Sequence, residues 1–159
     1  MVAREVLIEE RAQAPIEPLE VGEVVPPRDE SAVVRERLYA QFRVWQGAPY
    51  QNGGMSTRGV DCSGFVLVTY KSMLGVELPR TADEQALLGS PVTRADLRAG
   101  DLVFFKTGVN TRHVGIYLDQ GRFMHASRRR GVMISALDDG YWSRRWWQAR
   151  RIQKATGPP

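Results

Sequence analysis

One thiol and two imidazoles give this 159-residue chain the means for nucleophilic chemistry: Cys62 is its only cysteine, and His113 and His125 are its only histidines. Cys62 stands in Asp61-Cys62-Ser63-Gly64, at the predicted start of a helix. Most free cysteines are small buried hydrophobes, and such a residue is expected mid-element on an apolar face. A cysteine that follows an acid at a helix N-terminus instead meets unpaired backbone N–H groups and the positive end of the helix dipole. Both stabilise a thiolate and are expected to lower its pKa. The same N–H groups can donate to a developing oxyanion. The context favours a nucleophile.

The histidines have matching contexts. His113 opens His113-Val-Gly-Ile-Tyr117, and His125 lies inside Phe123-Met-His-Ala-Ser127. A hairpin turning near Asp119-Gln-Gly121 puts them on neighbouring strands, with position 113 roughly opposite 125. Opposed side chains lie ~4.5–5.5 Å apart at Cβ. One imidazole can then take the thiol proton while the other orients it, a nucleophile–base–orienter arrangement with imidazole in place of the usual carboxylate or amide. A neutral second imidazole orients the base without strongly raising its pKa.

The elements that must hold these residues are legible in the periodicity. Ser31 is a candidate N-cap; Val34, Leu38, Phe42 and Trp45 follow at helical spacing, and Gly47 is a stop. Residues 47–60 are turn-like. A second helix is predicted over 62–74, with Phe65, Val66, Thr69 and Met73 on its core face and Gly75 closing it. A short third helix follows Thr81, with Asp83 and Glu84 where the dipole favours acid. After Pro91 the period changes to that of strands: runs at 102–105, 114–118, 123–126 and 132–135 are apolar and β-branched or aromatic, with Gly and Asp between them. They predict an antiparallel meander, with 147–152 as a further strand. Helices first and strands second give an α+β fold, the N-terminal helices packed on one face of a C-terminal antiparallel sheet.

Composition narrows the function classes. The length fits one domain, and 43% hydrophobic with 25% charged residues is globular. No apolar run reaches the ~18 residues of a membrane span. One cysteine excludes an intrachain disulfide and, with two histidines, a thiolate-rich zinc site. Residues 1–30 carry eight acids against three bases and four of the nine prolines, an extended tail or linker; residues 31–154 form the folded domain. Residues 31–159 carry net +9, and 122–154 hold nine bases against Asp138 and Asp139. A basic body suits a polyanionic wall or membrane surface, whereas no nucleic-acid-binding motif is present. The opening residues, Met1-Val-Ala-Arg-Glu5, lack the apolar stretch of a signal peptide.

Taken in order, these motifs resemble the NlpC-type cell-wall cysteine peptidases (the NlpC and p-sixty superfamily), which are papain-like in fold. The match runs over residues 31–152. It includes Gly47-Ala-Pro-Tyr50, Gly53-Gly54, Gly59-Val-Asp-Cys-Ser-Gly-Phe65, Leu78-Pro-Arg-Thr81 with Gln85, and Gly100-Asp-Leu-Val-Phe-Phe105, then the two histidine runs. Each box is weak alone; the ordered set is specific.

The resemblance implies Cys62 as nucleophile, His113 as general base and His125 as the residue that orients it. Tyr50 matches a tyrosine whose hydroxyl helps bind the oxyanion with the Cys62 N–H, and Asp61 and Ser63 match positions lining the substrate groove. Arg80 matches a family arginine, with a structural tie between the helical half and the sheet or substrate binding as its two readings. No metal or cofactor is implied. The implied substrate is the stem peptide of peptidoglycan, cut next to diaminopimelate at a γ-D-glutamyl or D-alanyl bond. The implied enzyme is a compact, single-domain, monomeric periplasmic endopeptidase. Acyl transfer on another substrate and a non-catalytic wall-binding scaffold are the alternatives. Trp142, Trp146 and Trp147 are readable as groove border or as a lid over the sheet. Arg128-Arg-Arg130 is better read as a solvated loop than as a contact for stem-peptide carboxylates.

Overall fold

The computed structural model describes residues 30–153. The acidic, Pro-containing stretch expected as a tail falls outside them except for Glu30, as does Lys154.

Helix α1 (Glu30–Trp45) already includes Glu30, so Ser31 lies inside the first turn rather than capping it. Leu38 is fully buried, and Val34, Phe42 and Trp45 pack against the same core, which is the stripe the four-residue spacing predicts. Gln41 Nε2 donates to Thr69 Oγ1 at 3.1 Å and ties α1 to the next helix. Two short strands, β1 (Met55–Ser56) and β2 (Gly59–Val60), form a small hairpin leading into α2 (Cys62–Thr69). The predicted helix 62–74 is split: after Thr69 the chain makes a π-helical turn (Tyr70–Leu74) closed by Gly75. The wider turn carries Tyr70 into the core, where its hydroxyl donates to the Gly100 carbonyl, and leaves Met73 half-exposed. Helix α3 (Ala82–Gln85) starts with a reciprocal capping box between Thr81 and Glu84.

The sheet has six antiparallel strands: β3 (Ser90–Pro91), β4 (Leu102–Gly108), β5 (Thr111–Asp119), β6 (Arg122–Ser127), β7 (Gly131–Ala136) and β8 (Trp146–Arg151), in the order β3-β8-β4-β5-β6-β7. β4 to β7 form the expected meander. β8 does not extend it; it returns to lie beside β4, and β3, absent from the expectation, pairs with its outer side. The return is made by α4 (Gly140–Arg145), a helix also not foreseen.

Strand alternation divides the side chains between two faces. Leu102, Phe104, Val114, Ile116, Met124 and Ala126 pack with α1 and α2 in the main core. Val103, Phe105 and Phe123 point to the opposite face and pack with Leu137, Trp142 and Trp146. The α+β arrangement with its N-terminal helices on one face is therefore present, and α4 adds a smaller cover to the other.

Candidate active site

The first turn of α2 is held by a web of charged hydrogen bonds around Asp61. This N-cap residue accepts from Gly64 N at 2.8 Å through Oδ1 and from Gly53 N at 2.8 Å through Oδ2. Arg80 grips the same carboxylate with both arms, Nη1 to Oδ1 at 3.0 Å and Nη2 to Oδ2 at 2.9 Å, and Nη1 also donates to Ser63 Oγ at 2.9 Å. Buried Gln85 donates through Nε2 to the Ser63 carbonyl at 3.1 Å. Burial would raise the Asp61 carboxyl, but Arg80 and the two backbone N–H groups outweigh it and hold the pKa below the usual carboxylate range. Arg80 thus ties the loop before α3 to the turn that carries Cys62, rather than tying helices to sheet. Arg80→Ala leaves a nearly buried carboxylate without its cation. Because Arg80 is partly exposed, the expected loss of stability is about 1–3 kcal/mol. A shift in urea midpoint worth less than about 0.5 kcal/mol would show that the fork does not hold the turn.

Cys62 packs toward the helix side of the sheet, in the main core. Burial pushes its thiol pKa up, contrary to the lowering expected from the helix start. The backbone N–H of Val114, then that of Ser63, pulls against the rise, while the Asp61 charge adds to it. The resting group is a neutral thiol facing two backbone donors.

His113 sits next to Val114 in β5, but its side chain belongs to the opposite face. The start of β5 is therefore a seam: Val114 N–H faces the thiol from one face, and the His113 imidazole lies against Phe105 on the other. Its Nε2 lies 2.8 Å from His125 Nδ1, and His125 Nε2 lies 2.8 Å from Ser135 Oγ. Trp142 stacks on the His113 ring with centroids 5.0 Å apart, and Phe105 and Phe123 flank the pair. The predicted register was two residues off. Ile116 pairs with Met124 and Tyr117 with Phe123, so His113 and His125 touch diagonally. The cause is the position of the turn: 113 opposite 125 centres it on Asp119, whereas the chain reverses at Gln120-Gly121, both with positive φ, beside a bulge between Tyr117 and Asp119. The diagonal contact needs Gly115 between the rings' strands: a Cβ there would lie 2.7 Å from Phe123 Cδ2 and 3.1 Å from His125 Cβ.

Burial drives both imidazoles toward neutrality, His113 down to about 4 and His125 well below its ordinary value. A neutral chain of this kind allows two proton arrangements. If Ser135 donates to His125, every ring N–H points toward the thiol end and His113 Nδ1 carries a proton. If His113 Nε2–H donates to His125 and His125 Nε2–H donates to Ser135, then His113 Nδ1 keeps its lone pair and can act as a base. Ser135 was not singled out from sequence. Its signal is an isolated hydroxyl two positions along β7 from Met133, the partner of His125.

The depressed imidazole pKa has a stability consequence. The unfolded chain binds a proton at His113 below about 6.5, and the folded chain does so only below about 4. The stability this group contributes is complete above pH 6.5 and is lost as pH falls through that window, by up to about 3 kcal/mol. Urea unfolding at pH 7 and pH 4.5 is expected to show a larger drop for the wild type than for His113→Gln. Equal drops would remove His113 as the source.

Two hollows flank the seam. The thiol-side hollow, about 470 Å³, is bordered by Tyr50, Asp61, Cys62, Ser63 and Arg80. Tyr50 is fixed there by its bridge to Val60, two residues before Cys62. Burial, then the proximity of Cys62, raises its hydroxyl pKa, so it stays protonated and able to donate. The imidazole-side hollow, about 840 Å³, contains His113, His125, Ser135, Trp142 and Arg128-Arg-Arg130. Thr111 and Arg128 border both hollows, which are therefore neighbours. Of the three tryptophans, Trp142 borders the groove. Trp146 packs on Phe105 in the second core, and Trp147 covers Phe104 on the helix side. Among the described residues no group of three or more His, Cys, Asp or Glu could hold a metal ion, and no helix is long and apolar enough to cross a membrane.

Comparison with known proteins places this groove in context. The model of the NlpC/P60 family matches residues 47–151. The protein named Probable endopeptidase NlpC of Escherichia coli (strain K12) is 50% identical over 125 residues, 77% of this chain and 81% of that one. The Murein DD-endopeptidase MepS/Murein LD-carboxypeptidase of the same strain is 45% identical over 119 residues, 75% of this chain and 63% of that protein. Among solved structures, an NLP/P60 family protein of Staphylococcus aureus Mu50 superposes with a TM-score of 0.68 at 32% identity, covering 82% of this chain and 44% of that one. This chain therefore spans less than two thirds of the length of the latter two.

Proposed function

As the chain belongs to the NlpC/P60 family, we propose that it is a peptidoglycan endopeptidase that cuts an amide bond next to diaminopimelate through a cysteine thioester. One observation carries the reading: a neutral His113–His125–Ser135 chain at 2.8 Å spacings ends beside the strand residue whose N–H faces the Cys62 thiol.

Cys62 Sγ attacks the scissile carbonyl carbon while His113 Nδ1 takes the thiol proton. Burial of both groups disfavours a standing thiolate–imidazolium pair, so charge develops only as the bond forms. The Tyr50 hydroxyl and the Cys62 backbone N–H receive the oxyanion. The tetrahedral intermediate collapses, the C–N bond breaks, and His113 returns its proton to the leaving amine. Water then attacks the thioester, gives a proton to His113, and releases the acid and the free thiol. Asp61 and Ser63 line the acyl side of the groove and hold its shape through Arg80. The enzyme works as a monomer in the periplasm or cell envelope, and its basic surface favours the anionic wall. Specificity resides in the groove itself.

Mass spectrometry of muropeptides tests this. Cross-linked dimers and uncross-linked stems are incubated with the protein, and the fragment masses identify a γ-D-glutamyl or a D-alanyl bond. No fragment from either, or from intact sacculi, would leave acyl transfer on another substrate or a binding role as the better account.

A further inference from the structure

The imidazole-side hollow has more positive charge than catalysis requires. We propose that it is the leaving-group subsite and that Arg129 and Arg130 there recognise a carboxylate carried by the amine half of the substrate. The assignment rests on the peptidase reading above and extends it to the choice of substrate.

The direction follows from the chemistry. The group that takes the thiol proton must hand it to the departing nitrogen. The amine half therefore lies on the His113 side of the scissile bond and the acyl half on the Cys62 side. The two hollows divide in the same way, with Cys62 in one and both histidines in the other.

The charge follows from the turn between β6 and β7. Ser127 Oγ accepts from Arg129 N and Arg130 N, both at 3.3 Å, and folds the turn onto itself. Gly131, with φ +76°, lies so close to Ala48 that a Cβ would be 2.2 Å from its carbonyl oxygen, and Val132 N donates to that same oxygen at 3.0 Å. The turn is thus anchored at both ends. Arg128 is already committed, with its guanidinium over the Tyr50 ring at 5.2 Å. Arg129 and Arg130 are exposed, and among the described residues none of the ion pairs involves them. Among the described residues the one acid bordering the hollow, Asp139, accepts from Tyr141 N at 2.8 Å. Two guanidiniums without acid partners among the described residues, on a fixed turn beside the departing nitrogen, suit a carboxylate held by charge-assisted hydrogen bonds.

This chemistry distinguishes leaving groups. In diaminopimelate the carbon that bears an amine also bears a carboxylate; the side-chain amine of lysine has no such neighbour. When D-alanine is joined to the side-chain amine of diaminopimelate, that adjacent carboxylate is free. The subsite therefore favours the D-alanyl–diaminopimelate cross-link over a lysine cross-link, and over one whose adjacent carboxylate has been amidated.

The test compares kcat/KM on two cross-linked dimers, one with the free carboxylate and one with the carboxamide, for wild type and for Arg129→Ala/Arg130→Ala. Wild type is expected to prefer the carboxylate by about 10- to 100-fold, the range of a charged hydrogen bond. In the double variant that ratio should fall to near one, and with Arg129→Glu/Arg130→Glu it should invert. Thermal unfolding checks that the variants fold. Equal rates of wild type on both dimers, or an undiminished preference in the variants, would overturn the subsite while leaving the peptidase reading intact. If wild type cuts neither dimer nor any other muropeptide, the peptidase reading fails and the subsite with it.

Discussion

Cys62→Ala is expected to abolish cleavage, lowering kcat on a cross-linked muropeptide by about four orders of magnitude or more while the protein stays folded. No other side chain can take over the attack. Ser63 is next to Cys62, but its hydroxyl is bound by Arg80 Nη1 at 2.9 Å and faces Asp61. Tyr50 remains protonated, with its hydroxyl pKa raised. The stability cost should be small, about 1 kcal/mol or less, because only one sulfur atom leaves the core and the Asp61 cap is untouched. The variant should still bind the muropeptide. Activity within tenfold of wild type, measured by fragment release with the unfolding curve unchanged, would exclude the thiol as nucleophile. A non-catalytic scaffold predicts no activity in the wild type either, so the pair of proteins separates the two accounts. Thiol reactivity at neutral pH separates them less well than its position at a helix start suggests, because burial keeps Cys62 protonated in the resting state.

That difference shows which parts of this molecule a sequence can display. Properties set by neighbours along the chain were legible. The stripe of Val34, Leu38, Phe42 and Trp45 foretold α1, and the apolar alternation from Leu102 to Ser135 foretold four paired strands and the face on which the helices pack. The thiol and the imidazoles were singled out by their scarcity and their local context. Properties set by what lies across space were not legible. The π-helical turn that swaps Met73 for Tyr70 depends on the carbonyl of Gly100, thirty residues away. The return of β8 to the side of β4 depends on α4, whose six residues Gly140–Arg145 carry three aromatic or small residues and three polar ones, with no helical stripe. The two-residue error in the histidine register came from the position of one turn and the bulge beside it. The partner of Arg80 and the role of Ser135 are long-range contacts between polar residues, which leave no period in the sequence.

The second large effect concerns that polar chain. His113→Ala removes the proton acceptor and is expected to lower kcat by about 10³-fold. His125→Ala leaves His113 in place but without a partner for Nε2, so the ring can rotate and hold its proton on either nitrogen; a loss of about 10²-fold is expected. Ser135→Ala keeps the His113–His125 contact and removes only the oxygen that draws the His125 proton to Nε2, so its loss should be about tenfold. His125→Asn separates orientation from packing. The asparagine side-chain oxygen can take the place of Nδ1 and accept from His113 Nε2–H, although it fills less of the space beside Phe123 and Trp142. If His125 acts as an acceptor that selects the tautomer, Asn should recover most of the activity lost in Ala while recovering little stability. If its contribution is packing, activity and stability should fall together in both variants. Full activity in His125→Ala would remove the orienter from the mechanism, and a Ser135→Ala loss larger than that of His125→Ala would reverse the order of the chain.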